Sequence, residues 1–149
     1  MKKISLCLIA FLFSAWGYAQ EQSLKTEQSA QQTVISMFDA LSNRDSVSLK
    51  LYCTTDILLL ENGQVWNMDT LIRYAIVLNT AADFKRSNTF DFIHTTLTKN
   101  TAWVSYNLHS AITRNGKHAS VHWMETVVLV KEKKDWKIQL LHSTLIKRN

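Results

Sequence analysis

The chain of 149 residues has no proline, three glycines and two cysteines. Without proline, nothing in the sequence forbids long uninterrupted strands. Gly63 and Gly116 each follow an asparagine, and Asn-Gly between apolar runs signals a two-residue hairpin turn, because both turn residues must accept positive φ. Cys7 lies inside the N-terminal apolar stretch and is not read as a lipid-anchored cysteine, which leaves Cys53. One thiol closes no internal disulfide, so the fold must rest on its core. Also missing is an apolar run of the roughly 20 residues that a spanning helix needs.

What is present begins with a short positive region, Met1-Lys2-Lys3, then the apolar run Ile4 to Phe13 and the small residues of Gly17-Tyr18-Ala19. This is the pattern of a cleavable secretory signal over residues 1–19, and it predicts an exported chain, periplasmic or secreted, with no membrane insertion after cleavage. A polar segment, 20–29, precedes a single domain over 30–149, long enough to bury a real core. The formal charge of +5 includes Lys2 and Lys3 and falls to +3 without them. Six of the remaining basic residues gather at Lys131, Lys133, Lys134 and Lys137 and at Lys147-Arg148, where a solvated hairpin tip and chain end account for them. Export argues against a nucleic-acid partner.

Val34, Ile35, Phe38 and Leu41 recur at helical spacing over 30–41. Asn43-Arg44-Asp45 breaks that helix, and Asp45 or Ser46 can cap a second short one carrying Val47, Leu49 and Tyr52. A strand over 57–60 turns at Asn62-Gly63 and returns through Val65 and Trp66. A third helix follows over 69–80, with Leu71, Ile72, Ala75, Ile76 and Leu78 on its buried face. Strands are then expected over 89–98, 101–113, 118–131 and 136–146. The order α-α-β-β-α-β-β-β-β predicts an α+β fold, a cone-shaped, curved antiparallel sheet wrapped around three N-terminal helices.

The last hairpin reads His122-Trp123-Met124-Glu125-Thr126, Val130-Lys131-Glu132, Trp136-Lys137-Ile138 and Leu141-His142-Ser143-Thr144. With the element order, it resembles the nuclear transport factor 2-like superfamily of cystatin-like architecture, in its polyketide-cyclase-like branch. The resemblance implies a cone with a pocket, in a superfamily that includes ketosteroid isomerase, scytalone dehydratase, polyketide cyclases and non-catalytic binders. No cofactor is expected. An isomerase-type pattern of carboxylate base, tyrosine and protonated acid has no evident match here.

Turn chemistry also sets a register. A two-residue turn at Asn115-Gly116 places Tyr106 opposite Glu125 and Leu108 opposite Trp123. A second at Lys133-Lys134 places Glu125 opposite His142 and Val127 opposite Leu140. Tyr106, Glu125 and His142 then form one row, with neighbouring Cβ atoms about 5 Å apart. Their face carries Ala102, Val104, Leu108, Val121, Trp123, Val127, Leu129, Ile138 and Leu140, so it is expected to pack on the helices. In one reading the row lines a ligand pocket, with His142 exchanging a proton, Glu125 orienting it and Tyr106 donating a hydrogen bond, and with Phe38, Tyr52, Trp66 and Trp123 as walls. The same groups serve a binding site without catalysis. In another reading they are a satisfied buried cluster.

His118 and His122 have the spacing of a helical metal pair, but on a strand they stand roughly 13 Å apart. His109 opposite His122 lacks further ligands, so no metal site is expected. The outer face, with Trp103, Met124, Val128, Leu141 and Leu145 among polar residues, suits a homodimer interface. Cys53, placed at the end of the second helix, is read as a structural thiol, and Asp39 as a further candidate at the cone mouth.

Overall fold

A computed structural model of the chain describes residues 27–149. The expected signal peptide over 1–19, and the polar segment up to residue 26, lie outside the described residues. Helix α1, helical over 27–42, buries Ala30, Val34, Met37, Phe38 and Leu41 at steps of three and four, leaving Ile35 at the margin. It ends where Arg44 takes φ 55°. The Arg44 guanidinium donates to the carbonyls of Asn79 and Ala81, at 2.8 and 3.2 Å. Asp45 caps α2 (Ser46–Leu51) by accepting from the Val47 and Ser48 amides at 3.0 Å, so two of the free amides of the first turn are satisfied.

Strands β1 (Cys53–Glu61) and β2 (Gln64–Trp66) form the first hairpin, its turn residues Asn62 and Gly63 at φ 51° and 73°. Helix α3 (Met68–Ile72) continues through a π-helical turn (Arg73–Val77). That turn shifts the helical phase, which leaves Leu78 exposed rather than on the buried face. Four long strands follow, β3 (Lys85–Leu97), β4 (Thr101–Arg114), β5 (Lys117–Glu132) and β6 (Asp135–Arg148). The α-α-β-β-α-β-β-β-β order is the expected one, and the strands lie side by side as β2-β1-β6-β5-β4-β3. The sheet is mixed rather than wholly antiparallel, because β6 returns beside β1 in the same direction. Cys53 opens β1 instead of closing α2, and β3 begins at Lys85, which draws Arg86 and Asn88 into the sheet. Among the described residues no helix is long and apolar enough to cross a membrane.

Asn115 and Gly116 turn at φ 52° and 71°, and Tyr106 pairs with Glu125 and Leu108 with Trp123, as the turn chemistry requires. Glu132 pairs with Asp135 across Lys133-Lys134, and that register runs to Leu129 opposite Ile138. There it breaks: Val128 pairs with Leu140, so Gln139 is an extra residue in β6. The expected pairings of Glu125 with His142 and Val127 with Leu140 are therefore corrected. Glu125 faces Ser143, Val127 faces Leu141, and His142 pairs with Thr126 on the outer face, where it is exposed. Leu140 leaves the core face and Leu141 joins it, 3% exposed.

The turn at Gly116 has open space where a Cβ would stand, so substitution there tests backbone strain alone. Gly116→Ala is expected to lower stability by about 1 kcal/mol, and Gly116→Asn by less, because asparagine tolerates positive φ. Urea midpoints at constant slope check this.

Candidate active site

Four inward positions lie in one row across the sheet: Tyr106 on β4, Glu125 on β5, Ser143 on β6 and Glu61 on β1. Glu125 is 4% exposed and Tyr106 is fully buried among the rings of Phe38, Phe90 and Phe92. The Ser143 hydroxyl donates to Glu125 Oε1 at 2.9 Å. Tyr106 Oη faces the same carboxyl, near enough to favour its charged form but outside the geometry of a formed hydrogen bond. Tyr106 Oη and Glu125 Oε2 are thus both buried without a partner. Such groups cost free energy unless a ligand or a proton satisfies them.

Burial pushes the Glu125 carboxyl up to about 7, against the opposing pull of Tyr106, Ser143 and the Arg86 charge; nearby Glu61 adds to the rise. Burial raises the Glu61 carboxyl too, opposed by Ser143 and by the charges of Arg86 and Arg148. The Tyr106 hydroxyl is held well above its ordinary value, first by burial and then by Glu125. Ser143 has one proton to offer two flanking carboxyls, so one of them needs another source.

Glu125 and Glu61 line a cavity of about 160 Å³. Met37, Phe38 and Leu41 wall it from α1, and Leu71 and Ala75 from the third helical segment. Trp66, Trp123 and Arg86 complete the sides. Glu61, Trp66, Ala75 and Arg86 are only partly buried, so the cavity reaches solvent between them. Arg86 is held from both directions. Its Nε donates to Asn88 Oδ1 at 2.9 Å and its Nη2 to Ser110 Oγ at 3.1 Å. Its guanidinium also lies over the Phe38 and Trp123 rings, at 5.4 and 5.5 Å. Asn88 in turn donates to Ser42 Oγ at 2.9 Å, which donates to the Phe38 carbonyl at 2.8 Å, tying the cation to α1.

Of the residues expected at a site, Phe38, Trp66, Trp123 and Glu125 line this cavity, and Tyr106 lies beside Glu125. Tyr52 caps α2 and packs on the core without lining the cavity, and Asp39 points to solvent. His142 is on the opposite face, displaced by the bulge. Cys53 is buried, and burial pushes its thiol up to about 12 against the charge of Lys137, which makes it a poor nucleophile. His109 and His122 stack at 4.2 Å on the outer sheet, and no group of three or more metal-ligating side chains occurs among the described residues. On that outer face Trp103 is 44% and Met124 48% exposed, whereas Leu141, expected there, is inside.

Sequence reasoning missed Arg86, Glu61 and Ser143. Arg86, Asn88, Phe90 and Phe92 alternate on one face, a signal that would have extended β3. Glu61 reaches the row through a long-range parallel pairing, and Ser143 through a bulge that no turn residue announces.

A curved sheet closed by helices over an acid-bearing cavity is the architecture of the nuclear transport factor 2-like superfamily. Within it, this chain belongs to the SnoaL-like domain family, whose model matches residues 30–146. Solved structures carry the same fold at low identity. A ketosteroid isomerase-like protein from Erwinia carotovora atroseptica is 15% identical, with a TM-score of 0.66 over 81% of this chain and 96% of that one. A putative scytalone dehydratase from Novosphingobium aromaticivorans is 10% identical, with a TM-score of 0.70 over 87% and 90%. The CamKII hub homology domain of Chlamydomonas reinhardtii is 18% identical, with a TM-score of 0.68 over 80% and 98%. No curated protein matches the sequence.

Glu125 holds its proton more tightly folded than unfolded, so its contribution favours the fold below the ordinary carboxylate range and is lost as pH rises through about 7. Glu125→Gln removes that titration. The variant is expected to resemble the parent near pH 4 and to exceed it at pH 8 by up to about 3 kcal/mol. Urea midpoints at the two pH values measure the difference.

Proposed function

We propose that this chain is an exported binding domain that holds a small, partly apolar molecule in the cavity above Glu125. The observation that carries this is a nearly fully buried carboxyl with an unpartnered oxygen on the wall of a cavity whose other lining, apart from Glu61 and Arg86, is aromatic and aliphatic. The cavity's size bounds the guest: an apolar cavity of about 150 Å³ admits benzene, so one ring fits within these walls. Glu125 Oε2 supplies the polar contact, as acceptor or donor according to the carboxyl's protonation, with the buried Tyr106 Oη beside it. The basic start Met1-Lys2-Lys3, followed by the apolar run Ile4 to Phe13, supports export. The exposed Trp103 and Met124 on the outer sheet face support pairing with a second copy of the chain.

One observation favours a second reading, acid-base catalysis in the same cavity. A carboxyl poised at about 7 both accepts and returns protons near neutrality, which isomerisation, dehydration or cyclisation requires. The ketosteroid isomerase-like and putative scytalone dehydratase relatives show that the fold accompanies such names, without fixing a reaction here. Glu125 would then move the proton and Tyr106 would orient the substrate oxygen.

Phenol and para-cresol are expected to quench tryptophan fluorescence saturably, through Trp66 and Trp123. Ala75→Trp, at the half-buried rim, is expected to abolish this by filling the mouth. Glu125→Gln is expected to weaken binding about tenfold. Unchanged affinity in Ala75→Trp would sink the cavity reading. Turnover of any bound compound that vanishes in Glu125→Gln, with binding retained, would select the enzyme.

A further inference from the structure

Arg86 stands at the border of the cavity above Glu125. That side chain is shared with a second, larger hollow of about 340 Å³ at the open end of the concave face, and Leu41 and Ala75 also line both. Arg86, Arg114, Lys117 and Arg148 line this vestibule, one from each of the four long strands, with Tyr74 and Phe84 as its aromatic sides. No aspartate or glutamate is among its lining residues. The nearest acid along the chain, Asp83, is already engaged, accepting from the Asn115 and Gly116 amides at 2.7 Å each.

Four cations line the vestibule against one nearby carboxyl, Glu61, which burial drives toward its neutral form, so an added anion relieves their mutual repulsion. Arg86 is the anchored member, fixed by Asn88, Ser110 and two aromatic rings, so its guanidinium is preorganised at the junction of the two hollows. The other three are exposed and act as the mouth.

We propose that the ligand is an amphiphilic acid. Its ring and a hydroxyl or carbonyl occupy the inner cavity against Glu125, and its carboxylate is held at the vestibule by Arg86 and Arg148. This deepens the binding reading and rests on it. Strand spacing sets the length. Arg148 pairs with Val121, four residues from Glu125, which is roughly 13 Å along the strand before the arginine side chain reaches back. A ring with a short acidic chain meets that span better than a bare ring acid. Amines are disfavoured at the entrance although two carboxyls lie within.

The test uses para-hydroxyphenylpropionate, its methyl ester, para-hydroxybenzoate and tyramine, titrated calorimetrically into the whole protein at low and high salt. The propionate is expected to bind at least about tenfold more tightly than its ester and the shorter acid, and tyramine most weakly. High salt should erase the advantage over the ester. Arg148→Ala is expected to reduce the acid to the ester's affinity while leaving the ester unchanged. The exposed pair Arg114→Ala/Lys117→Ala should weaken the acid by a smaller factor. Equal binding of acid and ester, with both lost in Ala75→Trp, would overturn the anion site and leave the cavity reading standing. Binding of none of the four would overturn both.

Discussion

Side chains along a strand alternate between faces, so the extra residue Gln139 exchanges inward and outward positions through the middle of β6. Without it, a histidine would stand beside Glu125 and Leu141 would face solvent. With it, Leu141 completes the apolar wall, Ser143 meets both carboxyls, and His142 is removed from the site. The chemistry of the concave face follows. A histidine beside Glu125 would have offered a ready cation and a charged pair; a serine offers one hydrogen bond and no charge. The acid therefore stays poised between protonation states.

That poise depends on how Arg86 is held. A guanidinium in direct contact with Glu125 would have kept the carboxyl ionised and its pKa low. Instead the cation is bound to neutral partners, Asn88 and Ser110, and lies between Phe38 and Trp123. Its field still opposes the rise at Glu125 without dominating it. The Ser42, Asn88 and Ser110 network thus acts on the site from behind, by fixing where the positive charge stands.

How much of this was legible in the sequence follows from the range of each interaction. The α1 face, the Asp45 cap and the two Asn-Gly turns are local, and propensity and periodicity report them. The pairing of Tyr106 with Glu125 was legible because a two-residue turn propagates its register through nine residues without interruption. Beyond the second turn the same extrapolation failed after Leu129, since a bulge is chosen by sheet curvature and leaves no mark in turn composition. Glu61 was beyond reach for a different reason. Its place depends on β1 closing in parallel against a strand about 80 residues away, a contact that no local pattern encodes. Arg86 lay within reach, but a strand start set four residues late assigned it to a connection.

The arrangement places groups of opposite character in two adjoining hollows that share Arg86. Inside are carboxyls that burial drives toward neutrality; outside are the exposed cations Arg114, Lys117 and Arg148. Their coupling has a direction. Arg86 and Arg148 both lower the Glu61 carboxyl, and Arg86 lowers that of Glu125. An anion seated on those arginines would cancel part of their field, so both carboxyls would bind protons more readily with the ligand in place. Under the proposed anion site, binding of an acid would be linked to proton uptake from solvent near neutral pH, where Glu125 titrates. A protonated Glu125 donates where its ionised form accepts, so the ligand oxygen it favours would change from a hydroxyl to a carbonyl as an anion filled the vestibule.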